Sequence, residues 1–469
     1  MPMLAAVIRK ELLERLVSFR FFVATALCLL LLPGVVYVRA QQYATQQQTY
    51  PKTAEGYRRH IGSYQREFNW SHFKHPVARP LNPLSILVEP ADLRDGGEVE
   101  LYWLEPPNFL RADESNPVPR LFPAFNVLTF VTVVMSLLAV VFSFDAVCGE
   151  KEQGTLKLML ANALPRSTLL IGKWLGGMAA LLLPFVVGVV VSALVMLGTL
   201  SGLLARAHWA EMGLIFLLSV LFLSVTYAAG MLVSSLTKRS ATSAVILLLV
   251  WSVTFLLHPN LVPVVTSWIS PMPSWREFSE DMRASRRAVY DSTRERNTED
   301  EWNERAKVPA NRPQVYLEKR QLYLDQQHLI NTSFEALHER YARRLDAQVE
   351  IADNILRVTP LGSYALAVYE LAGAGPAERD RFLTAVSRYH SDFFNYFATR
   401  SVSFMEKWKA SGEVELPDYT VGDFPLFRYQ ESGSAERVSR SLFDVVLLAA
   451  WNVLLFVGAY ASFLRSDVS

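Results

Sequence analysis

The sequence predicts an α-helical polytopic membrane protein with six transmembrane helices, both termini cytoplasmic, and a mainly helical extracytoplasmic domain. Three observations carry this. Half of the 469 residues (51%) are hydrophobic and mean hydropathy is +0.18, yet 19% are charged, a mixture that suits a membrane protein with sizeable soluble parts. Six runs approach the roughly 20 apolar residues that a span needs: 21–38, 127–143, 174–199, 212–236, 241–257 and 442–464. Lys and Arg near the ends of those runs fall on one side, which marks that side as cytoplasmic.

Residues 1–20 open the chain as an amphipathic connector helix. Leu4, Val7, Ile8, Leu12, Leu16 and Phe19 share one face, with Arg9, Lys10, Glu11 and Arg15 opposite. Such a helix suits the membrane interface; a cytosolic extension of the first span is the plainer alternative. The leader is too long and too helical for a signal peptide, and Arg39 suits a cleavage site poorly. Arg9, Lys10, Arg15 and Arg20 precede the first span, while Lys151, Lys157, Arg166 and Lys173 lie in the loop 144–173. Lys238 and Arg239 separate the fourth and fifth spans, and Arg465 follows the sixth. The short loop 200–211, on the other face, carries only Arg206.

Residues 39–123 form the first extracytoplasmic segment, Gln-rich and then aromatic. Tyr57–Trp70 reads as helix, and Glu98–Trp103 alternates like a strand. Pro80, Pro83, Pro90, Pro106 and Pro107 forbid long helices between and after them. In the third and fourth spans, Gly176-Gly177, Ala179-Ala180 and Ala228-Ala229-Gly230 permit close helix packing, and Pro184 predicts a kink. No Asp, Glu, Lys or Arg sits in the centre of a span, and Asp444 falls near an outer end. That argues against an ion or proton pathway.

Residues 258–440 form the second extracytoplasmic part. Its first stretch, rich in Pro and Trp up to Trp275, reads as an interfacial hairpin or surface helix. Val315–Val358 is its longest predicted helix, with Ile330, Phe334, Leu337, Tyr341, Leu345 and Val349 as an apolar stripe. Pro360 ends that helix, Gly373–Gly375 with Pro376 separate two more helices, and Pro376–Ala410 carries Phe382, Tyr389, Phe393, Phe394, Tyr396, Phe397 and Phe404. Aromatics at helical spacing are ordinary core before they are a lipid-like ligand site. Leu416–Tyr429 reads as extended.

The stretch that organises the chain is the polar island Phe144–Gly176 between two apolar runs. Gly154 supplies a break and Thr155 a first-turn or capping hydroxyl. Leu156, Leu160 and Leu164 then repeat on one face of a short amphipathic helix. Little else in the chain suggests chemistry. Cys28 and Cys148 offer no disulfide framework to the polar segments, and Cys148 reads as an inert boundary residue. His72 and His75 form an H-x-x-H pair with no third ligand at metal spacing. Glu335, Glu339, Arg343 and Arg344 read as solvated helix faces. There is no G-x-S-x-G, no H-E-x-x-H, no basic stripe with interleaved aromatics, and no G-x-x-x-x-G-K-[ST] phosphate loop. The chain is therefore expected to bind no nucleic acid, to hold no cofactor and not to be an enzyme.

The island resembles the signature of ABC-2 type permeases, the membrane subunits of many bacterial ATP-driven exporters. That signature stands here as Glu150, Glu152, Gly154, Thr155 and Leu156, then Pro165, Arg166, Gly172 and Lys173. The family's proline often falls about two residues earlier. Arg9-Lys10-Glu11-Leu12 resembles the family's connector helix. Thr359-Pro360, Leu371-Ala372-Gly373, the Phe-rich helix and the ending Phe463–Val468 resemble a permease subgroup with a large extracytoplasmic insertion before the last span.

The resemblance implies a coupling helix at Gly154–Leu164 that fits a groove on a separate ABC ATPase, with Glu150 and Glu152 near the contact. It implies ATP and magnesium on that ATPase and a permease homodimer in a bacterial inner membrane, among lipid. ATPase-coupling residues are then Glu150, Glu152, Gly154, Thr155, Leu156, Leu160, Pro165 and Arg166. The expected function is the permease subunit of an ATP-driven exporter. A mechanotransmitting subunit that acts on a periplasmic partner without moving solute, and a membrane-anchored scaffold, are the rivals.

Overall fold

The computed structural model describes residues 2–64, 74–80, 82–88, 98–102, 125–155, 165–200, 206–296, 299–411 and 425–465. Two helices open the chain, α1 (Pro2–Leu16) and α2 (Phe19–Tyr64). Strands β1 (Lys74–Ala78) and β2 (Glu98–Tyr102) flank a 3₁₀ turn at Pro83–Ile86. Next come α3 (Val127–Glu152), α4 (Arg166–Thr199), α5 (Arg206–Leu236) and α6 (Ser240–Ile269). The insertion holds α7 (Trp275–Ser292), α8 (Glu299–Ala306), α9 (Arg312–Leu356), α10 (Pro360–Leu371) and α11 (Pro376–Ser411), and α12 (Ser434–Arg465) closes the fold.

Six of these, α2 to α6 and α12, are long and apolar enough to cross a membrane, which bears out a helical polytopic membrane protein with six spans. Their ends differ from the apolar runs. α2 does not stop at 38 but continues through Gln-rich sequence to Tyr64, because a polar residue ends the lipid-facing stretch without breaking the backbone ladder. The reading of 258–275 as a hairpin or separate surface helix is likewise replaced. The fifth span passes through a π-helical turn at Val253–Leu257 and runs on as helix to Ile269. At 30 residues, α6 is about 45 Å long, well beyond a hydrocarbon core of roughly 30 Å.

Local chemistry explains the helix starts. Asn126 Oδ1 accepts the Thr129 amide at 2.9 Å and begins α3. Ser274 and Glu277 form a reciprocal capping box on α7. Thr359 caps α10, with Pro360 in its first turn.

Contacts between helix ends show which ends share a face. Arg20 at the start of α2 pairs with Asp145 in the last part of α3 at 2.8 Å. Arg166 at the start of α4 donates to the Leu464 carbonyl at the end of α12 at 2.7 Å. The Lys151 ammonium reaches the Ser235 carbonyl at the end of α5. The island, α1 and the end of α12 therefore lie on one face, and the insertion is rooted at the opposite one.

One buried core joins α2 to α5 with α12, and it also takes in Leu84, Leu87 and Val88 of the first insertion and most of α10. Tyr364 of α10 stacks on Phe222 of α5 at 4.4 Å and hydrogen-bonds Ser219 at 2.7 Å. The helix predicted between Pro360 and Gly373 is therefore present as α10, but the sequence did not place it among the spans. The two strands pair antiparallel, with Val77 opposite Val99. Val77, Val99 and Leu101 pack on Phe382, Val386 and Tyr389 of α11, so these aromatics serve as core. The Ile330 and Phe334 part of the α9 stripe is covered by Val289 of α7.

Candidate functional site

The base of the island is clamped to the turn between α5 and α6. The amides of Val147 and Cys148 both donate to Ser234 Oγ at 3.0 Å. Lys151 Nζ donates to the Ser235 and Thr237 carbonyls that close α5. The Glu152 carboxylate accepts the Ser240 amide at 3.0 Å. Ser240 begins α6, so an anion sits where free amides and the helix dipole favour one. Cys148 is buried with its Sγ 3.1 Å from the Phe144 carbonyl, as an inert boundary residue should be.

A second clamp holds the island to α1 and α4. Lys173 Nζ lies 2.6 Å from Glu11 Oε1 and 2.7 Å from Glu150 Oε1. The three side chains are 4%, 5% and 13% exposed, so this is a buried trio of one cation and two carboxylates. Arg15 Nε stands 3.8 Å from Glu11, and its Nη1 donates to the Phe142 carbonyl in α3. Lys10 Nζ stands 3.8 Å from the same Glu150 oxygen that Lys173 holds.

The trio forms because α4 lets α1 approach closely. A Cβ at Gly172 would sit 2.6 Å from Val7 Cγ1, and one at Gly176 2.7 Å from Glu11 Cβ and 3.1 Å from the Ile8 carbonyl. These glycines stand four apart on one face of α4 and leave a groove that α1 fills. Gly177, turned toward α5, makes room for the buried Tyr227 ring.

This arrangement corrects the predicted faces of α1. Glu11, placed on the polar side with Arg9, Lys10 and Arg15, is 4% exposed and faces α4, whereas Phe19, placed on the apolar side, is 80% exposed. Leu4, Val7, Ile8 and Glu11 follow one seven-residue stripe, so Glu11 occupies a packed position by geometry. An acid in register with Leu4 was the available signal in the sequence. Lys173, framed by Gly172 and Gly176, was its counterpart.

The predicted coupling residues fall as follows. Glu150 and Glu152 are brought together in the short helix Cys148–Glu152, each holding a different neighbour. Gly154 follows with φ of 73°, a left-handed conformation that favours glycine and turns the chain out of α3. The Thr155 hydroxyl points back to the Glu150 carbonyl at 3.5 Å instead of forward as a cap. Leu156 and Leu160 lie outside the described residues, as does most of the predicted coupling helix. Pro165 precedes α4, and Arg166 closes on the Phe463 and Leu464 carbonyls of α12. His72 of the H-x-x-H pair also lies outside the described residues. Among the described residues no group of three or more His, Cys, Asp or Glu could hold a metal ion.

Comparison with known proteins agrees with this architecture. The chain is 36% identical over 107 residues to the probable ABC transporter permease protein NosY of Pseudomonas aeruginosa, covering 22% of this chain and 39% of that protein. It is 31% identical over 127 residues to the NosY of Stutzerimonas stutzeri, covering 27% and 46%. The chain thus aligns with less than half the length of these curated relatives. The profile of the ABC-2 family transporter proteins, by contrast, matches residues 5–468. With that match along nearly its whole length and six helices fit to cross a membrane, the chain belongs to the ABC-2 family of ABC transporter membrane subunits.

Proposed function

We propose that this chain is the non-catalytic permease of an ATP-driven exporter, working as a homodimer in a bacterial inner membrane with the island face in the cytoplasm. A separate ABC ATPase binds ATP and magnesium and pushes on residues 144–164. One observation supports this above the others: the island base is fastened at once to α1, α4 and the α5–α6 turn. A segment fixed only to its own two helices would dissipate a push locally. One fastened to four elements spreads it through the bundle. The position of the Lys and Arg residues favours the same orientation.

Arg357 at the end of α9 holds Asp444 of α12 at 2.6 and 3.1 Å, and α10 is embedded among the spans. Motion of the spans would therefore reach the insertion, which keeps the mechanotransmitting reading in view. The reconstituted complex separates the two: ATP hydrolysis with substrate movement supports export, and hydrolysis with work on a periplasmic partner alone supports transmission. Gly154→Pro and Leu156→Asp test the coupling itself. Each is expected to insert into the membrane and to lose the ATPase on purification. Unchanged co-purification and hydrolysis in both variants would sink the proposal.

A further inference from the structure

We infer that Glu150 exchanges partners, from Lys173 in the state seen here to Lys10 when the island is displaced, and that Lys10 is a positioning residue for coupling. This inference rests on the proposed function above.

The geometry supplies two seats for one carboxylate. Glu150 Oε1 is 2.7 Å from Lys173 Nζ and 3.8 Å from Lys10 Nζ. A shift of about one ångström toward Lys10 brings that pair to ordinary charge-assisted hydrogen-bond distance. Glu150 Oε2 is buried with no hydrogen-bond partner among the described residues, so the carboxylate is under-satisfied where it stands. Lys10 is the solvent-exposed member: its side chain is 44% exposed, and it also stands 3.6 Å from Glu14, itself 61% exposed.

The exchange strands no charge. When Glu150 leaves, Lys173 keeps Glu11 at 2.6 Å, and Glu11 keeps Arg15 at 3.8 Å. Breaking a buried pair is strongly unfavourable chiefly because it leaves one ion without compensation. A trio with a spare cation at its rim avoids that penalty. The island base can then move between two discrete arrangements instead of deforming a packed core, and small shifts at such bistable contacts are amplified into larger rearrangements. The exposure of Lys10, 44% against 4% for Lys173, gives the direction of travel: Glu150 moves from the buried seat toward the solvent-exposed one.

The experiment uses the full chain purified with its ATPase in lipid nanodiscs. Lys10→Met keeps the Glu11–Lys173–Glu150 trio and is expected to leave complex yield unchanged while ATP hydrolysis falls about fivefold. Lys10→Arg, which keeps the cation, should restore hydrolysis to within twofold. A purely structural role for Lys10 would lower yield and hydrolysis together and would overturn the inference. So would full hydrolysis by Lys10→Met in an intact complex, with the proposed function left standing. Absence of any ATPase bound to the unsubstituted chain would overturn both.

Discussion

The two ends of the helix bundle both bury charge, but they share it out differently. At the island end one lysine serves two carboxylates, with further cations waiting at 3.8 Å. At the insertion end the two acids that tie into the spans, Glu211 and Asp444, each have their own cation, while Arg440 is shared more loosely by Glu370, Glu378 and Glu436 at 3.5–3.9 Å. Glu211 of α5 holds Arg437 of α12 at 2.6 Å, and Asp444 holds Arg357. Glu378 of α11 receives the Ser432 and Tyr429 hydroxyls and the Ser432 amide. Dedicated pairs define one geometry, while a shared cation permits two. The contrast suits an insertion end that must be held and an island end that must be moved.

The largest expected effect tests the shared cation. Lys173→Met leaves Glu11 and Glu150 buried without their common partner and should cost about 3–5 kcal/mol. Thermal unfolding of the detergent-solubilised chain measures it. Arg437→Met at the other end should cost less, because Ser434 still donates to Glu211 Oε1 at 2.6 Å. Equal losses would erase the distinction. Glu11→Gln combined with Lys173→Met should recover part of the lost stability.

Next in size is the groove that admits α1. Gly176→Leu drives side-chain atoms into Glu11 Cβ and the Ile8 carbonyl. Overpacking of this kind costs about 1–3 kcal/mol. The expected outcome is release of α1, read as faster maleimide labelling of a cysteine placed at Leu12, which packs against the main core. Slow labelling in the Gly176→Leu background would show that α1 is held by something other than this groove.

These two sites also show what was legible in the sequence. The six apolar runs announced the spans because lipid demands uninterrupted hydrocarbon. They did not announce the helix ends, because α2 crosses from Val38 into Gln-rich sequence without losing a backbone hydrogen-bonding pattern. The island motif located Glu150 and Lys173, yet their meeting with Glu11 depends on α1 folding back onto α4 across 162 residues of chain. A helical wheel puts Glu11 in register with Leu4, but the charge of the side chain assigns it to water as long as the partner lysine is unknown. Pro360 and Gly373 marked out α10 as a helix, but its burial was hidden for a related reason: a 12-residue apolar helix reads as soluble core until α5 and α12 are there to enclose it.

A third expectation concerns the link between insertion and spans. Arg357→Gln removes both charge-assisted bonds to Asp444, which is 2% exposed. The loss should be about 1.5–3 kcal/mol, smaller than at Lys173 because Arg357 itself is 25% exposed and solvent screens the pair. Hydrogen exchange at the end of α9 should rise while α1 is unaffected. A rise at α1 as well would mean that the two ends are not independent.

The smallest effect lies in the clasp between α11 and the chain entering α12, and it depends on pH. Burial opposes ionisation of Glu378, but hydrogen bonds from Ser432 and Tyr429 outweigh it and hold the carboxyl below its ordinary value of 4.5. A carboxyl depressed by folding contributes stability that is present above that value and is lost as pH falls through the folded one. Asp380 on α11, Glu370 on α10 and Glu431 within the clasp work the other way: burial raises each above its ordinary value, so their protonation favours the fold and opposes the loss. The contribution of Glu378 is a modest loosening of residues 425–433 below pH 4.5, seen as faster hydrogen exchange than in Glu378→Gln after correction for the intrinsic rate. Glu378→Gln removes the titrating group and should remove that acid response. Ser432→Ala should weaken it, because one of the donors that depress the carboxyl is gone. If Glu378→Gln keeps the full acid response, the loosening does not come from loss of the Ser432 and Tyr429 bonds to this carboxyl. Dedicated charge pairing would then be confined to Glu211 and Asp444.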